Sequence, residues 1–217
     1  MDLSQFSPSS ALVTVILIAL APFVAVMVTS FTKIVVVFSL LRNALGLQQV
    51  PPNLVINGLA LVLSIYVMYP VGQSVIEDVS RIDNVGKDAR SLLEVTNIAK
   101  EPMRDFLLKH AKPRERDFFL RTLHKMLPEE DAKKIAPRDF IVIVPAFTIS
   151  ELTAAFQIGF LIFLPFIVID LVVANILMAL GMMMLSPTII SLPFKLLLFV
   201  LIDGWVKLAH GLVLSYL

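Results

Sequence analysis

FIVIVPAFTISELTAAFQIGFLIFLPFIVIDLVVANILMALGMMML, residues 140–185, decides how this chain is built. Its only charges are Glu151 and Asp170. Helical throughout, it would measure about 69 Å at 1.5 Å per residue, more than twice a hydrocarbon core of roughly 30 Å. Pro145 and Pro165 are expected to divide it and Ser186-Pro187 to end it. Ile189 to Leu217 supplies a last apolar run, so residues 140–217 read as a hydrophobic helical hairpin.

A similar block lies upstream, in residues 1–76. Its first run, Leu12 to Leu41, is interrupted by Pro22 and Lys33. Arg42-Asn43-Ala44-Leu45-Gly46 terminates it with a cation near the helix C-terminus and a glycine stop. Gln48-Gln49-Val50-Pro51-Pro52 forms an extended turn, and Asn53 is suited to cap a second helix, Leu54 to Val75. Between the two blocks sits a charged insert, residues 77–139. Glu77 to Arg138 holds 14 of the 18 basic and 12 of the 17 acidic residues. The insert reads as short amphipathic helices opened by Pro102, Pro113 and Pro128. Met103, Phe106 and Leu107 form one apolar stripe; Phe119, Leu123, Met126 and Leu127 form another. A basic membrane-surface helix over Lys112 to Lys125 is a poorer reading, because acids interleave its cations.

The predicted class is all-α: two long hydrophobic hairpins around a small charged helical insert. At 58% hydrophobic residues and a mean hydropathy of +0.87 the chain exceeds ordinary soluble domains. A net charge of +1 argues against nucleic acid as a partner. With no cysteine, thiolate metal sites, disulfides and cysteine nucleophiles are excluded. His110, His124 and His210 sit in no metal-ligand or catalytic spacing, and no phosphate-binding Gly-Lys-Ser/Thr motif occurs. No enzyme and no cofactor is expected. Asp2 and the lack of Lys or Arg before Lys33 do not fit a signal peptide. Pro22, placed after the small residues Ala19 and Ala21, is expected to block cleavage there. Arg42 and Lys195 in the two short connections place those loops in the cytoplasm, with both termini and the insert outside.

Lys33, Glu151, Asp170, Asp203 and Lys207 fall in or beside apolar runs, where a central charge costs about 2.5–3.5 kcal/mol on insertion scales. They must face protein, water or one another; either they pair within one subunit or they serve a conduit or an interlocking assembly. Glu151 has a local explanation too, since Thr148-Ile149-Ser150-Glu151 fits a capping box. Ala155 and Gly159 form a small-xxx-small pair that allows close helix approach. Met182, Met183 and Met184 follow Gly181 where helix is expected to stop. Flexible thioethers there are either core filler or a deformable gate. A secondary transporter with a midplane site at Asp170 and Asn175 is the alternative from another class, but it predicts paired repeats that are not found.

Several long blocks resemble one family. Arg42-Asn43-Ala44-Leu45-Gly46-Leu47-Gln48-Gln49-Val50-Pro51-Pro52-Asn53 is similar to the hairpin motif of the R-type core export-apparatus proteins of type III secretion. This is the SctR family of injectisomes, whose flagellar homologue is FliP. Pro145-Ala146-Phe147-Thr148-Ile149-Ser150-Glu151-Leu152, Leu164 to Leu171, Gly181 to Met184, Ser191 to Lys195 and Asp203-Gly204-Trp205 continue the resemblance. The insert matches only loosely. The acidic start, Pro22 and the short length favour the injectisome form over the flagellar one. The resemblance implies a homopentamer joined to S-type and T-type proteins in a helical cone that admits unfolded substrates. A U-type switch protein, the surrounding basal-body ring and inner rod or needle subunits are implied as neighbours. The implied location is the bacterial inner membrane, multi-pass, with the complex projecting to the periplasmic side. Met182, Met183 and Met184 match a gasket around the closed pore. Glu151 and Lys195 match an acid and a base implicated in subunit contacts, to which Asp170, Lys33, Ala155 and Gly159 are added as candidates. Gln48, Gln49, Pro51 and Pro52 match the hairpin turn.

Overall fold

The computed structural model describes residues 8–80, 89–182 and 184–217, and among them the chain is helical with turns and no strand. Asp2 and Met183 lie outside the described residues. The elements are α1 (Pro8–Val28), α2 (Phe31–Ala44), α3 (Asn53–Ser80), α4 (Ala89–His110), α5 (Pro113–Met126), α6 (Glu129–Ala132), α7 (Phe140–Ala179), α8 (Pro187–Leu201) and α9 (Gly204–Leu214). The all-α expectation therefore holds. α3 and α7 are each long and apolar enough to cross a membrane. The end of α1 (Pro22–Val28) with α2, and α8 with α9, reach that length as pairs bent by 80° and 59°.

The first bend is not where proline places it. Pro22 lies inside α1 and Lys33 inside α2, while the break falls at Thr29-Ser30. Hydroxyls take over the backbone there: Thr29 Oγ1 donates to the Ala25 carbonyl at 2.7 Å and Thr32 Oγ1 to the Val26 carbonyl at 2.6 Å. Such local side-chain bonds offer the chain an alternative to continued helix. α2 then presents Lys33, Ile34, Val37, Phe38, Leu41 and Ala44 as a buried stripe at helical spacing. It ends as expected at Gly46, whose φ of +79° is left-handed. Gly46 N–H donates to Asn43 and Leu47 N–H to Arg42, the paired bonds of a Schellman stop. Asn53 is not a cap; it is the first residue of α3 and its Oδ1 accepts from Arg42 at 2.6 Å.

α7 corrects the largest expectation. Pro145 and Pro165 lie within one unbroken helix of 40 residues, about 60 Å long. Its buried stripe runs through both: Val142, Ile143, Ala146, Phe147, Ser150, Glu151, Ala155, Gly159, Phe166 and Leu177. Packing along that stripe outweighs the hydrogen bonds that the two prolines remove, an outcome long apolar helices tolerate. Thr148 and Glu151 are mid-helix, so the capping-box reading fails; Thr148 Oγ1 bonds the carbonyls of Met27 and Val144 instead. Pro102 likewise lies inside α4 rather than opening a helix, whereas Pro113 opens α5 as expected. Of the second insert stripe, Phe119 packs against the core while Met126 is 75% exposed.

Three apolar clusters hold the helices. The first joins Ile34, Val37 and Phe38 to Ile56, Ala60, Ala155 and Leu212. The second joins Phe106 and Leu107 of α4 to Ile143, Ala146 and Phe147 of α7 and to Tyr216. The third joins Leu41, Ala44 and Leu45 to Phe166 and Phe199. α8 and α9 meet at Asp203, which is left-handed with φ 52°. Trp205 then stands edge-on to both Phe38 and Phe199, at 5.8 and 5.5 Å between centroids. A Cβ on Gly204 would lie 2.1 Å from Phe199 Cε2, inside a rigid buried ring. Gly204→Ala should therefore cost about 1–3 kcal/mol. Gly211, whose Cβ would meet open space, should accept alanine with no loss and a gain of up to about 1 kcal/mol. Thermal unfolding of the two variants in detergent checks the contrast.

Candidate functional site

Two lysines are buried among the described residues, and each is answered by an acid from α7. Lys33 is 4% exposed in the first turn of α2. A cation is unfavourable at that positive end of the helix dipole, so it needs compensation from elsewhere. Glu151, 3% exposed, supplies it with Oε1 3.4 Å from Lys33 Nζ. The same ammonium lies 3.6 Å from the centroid of the Tyr216 ring, a cation–π contact shielded from water. Tyr216 donates its hydroxyl proton to Glu151 Oε2, and the hydroxyl also lies 3.5 Å from the Ser30 carbonyl. Ser30 Oγ donates to Ser64 Oγ at 3.1 Å. One polar chain thus ties the α1–α2 break, α3, α7 and the C-terminal segment together.

Lys195, 3% exposed on α8, forms the second cluster. Its Nζ lies 2.6 Å from Asp170 Oδ2 and donates to the Ala44 carbonyl at 3.3 Å. That carbonyl closes the C-terminus of α2, where unpaired acceptors favour a cation. Ser191 Oγ donates to Asp170 Oδ1 at 2.5 Å. Glu151 and Lys195 do not meet each other; each finds its own partner within the chain. Ala155 is fully buried in the first cluster, and a Cβ on Gly159 would fall 2.2 Å from Leu40 Cδ1. The small pair therefore lets α2 approach α7 inside one subunit. In the hairpin turn Gln48, Gln49 and Pro52 are exposed and Pro51 is half-buried, its carbonyl accepting from Arg42 at 3.3 Å.

The methionine junction is built differently. α7 stops at Gly181, left-handed at φ +70°, with Gly181 N–H bonded to Met178 and Met182 N–H to Leu177. This is a second Schellman stop. Met182 is 46% exposed and Met184 101%, in the turn before Pro187 opens α8. Among the described residues no group of three potential ligands is placed to hold a metal. Tyr216, Ser30 and Ser64 complete the polar clusters although nothing in their local sequence marked them, and Ser191 lies in a block that the resemblance singled out without giving it a role.

His110 of α4 touches the first cluster, 5.0 Å from the Tyr216 ring and 4.7 Å from Phe106. Burial, reinforced by Lys33 and Lys109, pushes its pKa down to about 4. The folded value lies below the unfolded one of about 6.5, so the folded state resists taking up this proton. This contribution to stability is complete above about pH 6.5 and is lost as pH falls toward 4. Unfolding measured between pH 7 and 4.5 should show that decline, and His110→Gln should flatten it. Glu151→Leu strands the Lys33 charge and should cost about 3–5 kcal/mol. Adding Lys33→Met should recover most of this, which a double-mutant cycle in detergent reads directly.

Residues 13–212 match the FliP family. The chain is 53% identical over 208 residues to the "Pathogenicity-related ORF2" of Xanthomonas campestris pv. glycines, covering 96% of each chain. It is 50% identical over 210 residues to the "Hypersensitivity response secretion protein HrcR" of Ralstonia nicotianae, covering 96% of this chain and 97% of the relative. It is 52% identical over 206 residues to the "Yop proteins translocation protein R" of Yersinia pestis, covering 92% of each. The family match reaches from α1 to α9, and at half identity over nearly the whole length the chain belongs to the FliP family, in the R-type branch of type III secretion.

Proposed function

We propose that this chain is a core subunit of a type III export gate that seals the entry pore with Met182, Met183 and Met184. The observation that carries the reading is the junction after α7. A left-handed Gly181 halts a 40-residue apolar helix and leaves Met182 and Met184 exposed before α8 begins. Thioether chains are unbranched, adaptable and apolar, chemistry suited to excluding water and ions while moulding around a passing polypeptide. No energy-coupling chemistry is needed from this subunit, which acts as a passive gate.

The assembly is proposed as a homopentamer with S-type and T-type partners in the bacterial inner membrane, projecting to the periplasmic side. A U-type switch protein, the basal-body ring and rod or needle subunits surround it, and unfolded proteins pass through it. The exposed apolar shell supports this reading. In α3 and α7 the most apolar 18-residue windows are only 17% and 11% buried within the chain. Lipid alone cannot cover a helix about 60 Å long, so partner subunits take a share. Combined Met182→Ala, Met183→Ala and Met184→Ala should raise small-molecule leakage through the assembled complex severalfold while leaving its mass unchanged. Unaltered leakage in a complex trapped open would rule the gasket out.

A further inference from the structure

We propose that the outward face of α5 docks, in a second copy of this chain, into the groove between α3, α4 and the C-terminal segment. The inference rests on the reading that copies of the chain assemble together, and names where they meet. α5 carries Arg114, Phe118, Arg121 and Lys125 at spacings of three and four, one stripe of a helix, with Asp117 the one acid lining the same face. Among the described residues none of these three cations has an ion-pair partner, and Phe118 is 59% exposed. α5 buries no residue fully, so this face is left for another molecule.

The groove has the opposite character. Its volume is about 850 Å³, and Tyr66, Tyr69, Phe106 and Tyr216 line it, with Glu101 and Asp105 among its acids. Tyr66 and Tyr69 are 67% and 63% exposed, open aromatic faces for a phenyl ring or a guanidinium to stack on. The one lysine in the groove, Lys109, is engaged with the Leu217 carbonyl at 3.0 Å. Glu101 pairs with Arg104 and Asp105 with Arg138, but these acid side chains are 58% and 69% exposed. The Asp105–Arg138 pair is exposed on both sides, worth little and ready to exchange, and Glu101, though held by an Arg104 that is 20% exposed, keeps its carboxylate open to a second cation. Basic-aromatic on one surface and acidic-aromatic on another make a heterologous contact, the type that builds rings and helical assemblies rather than closed dimers.

Because the chain has no cysteine, two single-cysteine forms give a clean test. Chains carrying Phe118→Cys and chains carrying Tyr69→Cys, co-expressed and purified in mild detergent, should form a disulfide-linked dimer on oxidation. Neither form alone should do so. Arg121→Glu and Glu101→Arg should each weaken copy-to-copy association at least tenfold, and the two together in one chain should restore it. A multi-copy complex that shows neither the cross-link nor any effect of charge reversal overturns this interface and leaves the assembly standing. A wild-type chain that remains a single copy by mass overturns the assembly reading itself, and this contact with it.

Discussion

A lysine buried in apolar surroundings has to be met by an acid, and in this fold that requirement fixes where α2 lies. Lys33 at its beginning is held by Glu151 and Tyr216, and Lys195 reaches its end through the Ala44 carbonyl while paired to Asp170. Both acids come from α7, so the two helices are joined at two points along their length as well as by their apolar stripes. Slipping α2 against α7 would separate Lys33 from Glu151 and draw the Ala44 carbonyl away from Lys195 at once. Buried pairs of this kind add little net stability over apolar packing, yet breaking one is expensive, so they discriminate against alternative packings more than they strengthen the favoured one.

Helical class, the glycine stop after Arg42 and the break at Gly181 follow from local rules, and these were legible in the sequence. Proline was the misleading signal. Pro102, Pro145 and Pro165 each look like a boundary, but each sits in a helix whose packing continues through it. The break that matters lies at Thr29-Ser30, where hydroxyls redirect the backbone without any proline or glycine. That Lys33, Glu151 and Asp170 must be compensated was also legible. Their partners were not, because Lys33 and Glu151 are 118 residues apart and no periodicity spans such a distance. Tyr216 was invisible for the same reason: an ordinary tyrosine becomes a hydrogen-bond donor to Glu151 only once α7 has brought that acid beside it.

The thin core and the broad apolar exterior belong to one design. Residues such as Leu54, Phe160, Val200 and Leu201 are 83%, 63%, 70% and 72% exposed, although an isolated soluble domain would enclose them. Two of the three buried clusters gather around α2, with small residues at Ala155 and Gly159 permitting its close approach to α7, and the third joins α4 to α7.

That exterior has a consequence for the life of the chain in the cell. A copy made without neighbours keeps its adhesive flanks open, and its persistence then depends on concentration rather than on its own fold. Supply of such a subunit must be matched to supply of whatever covers it, and unmatched copies become targets for aggregation and proteolysis.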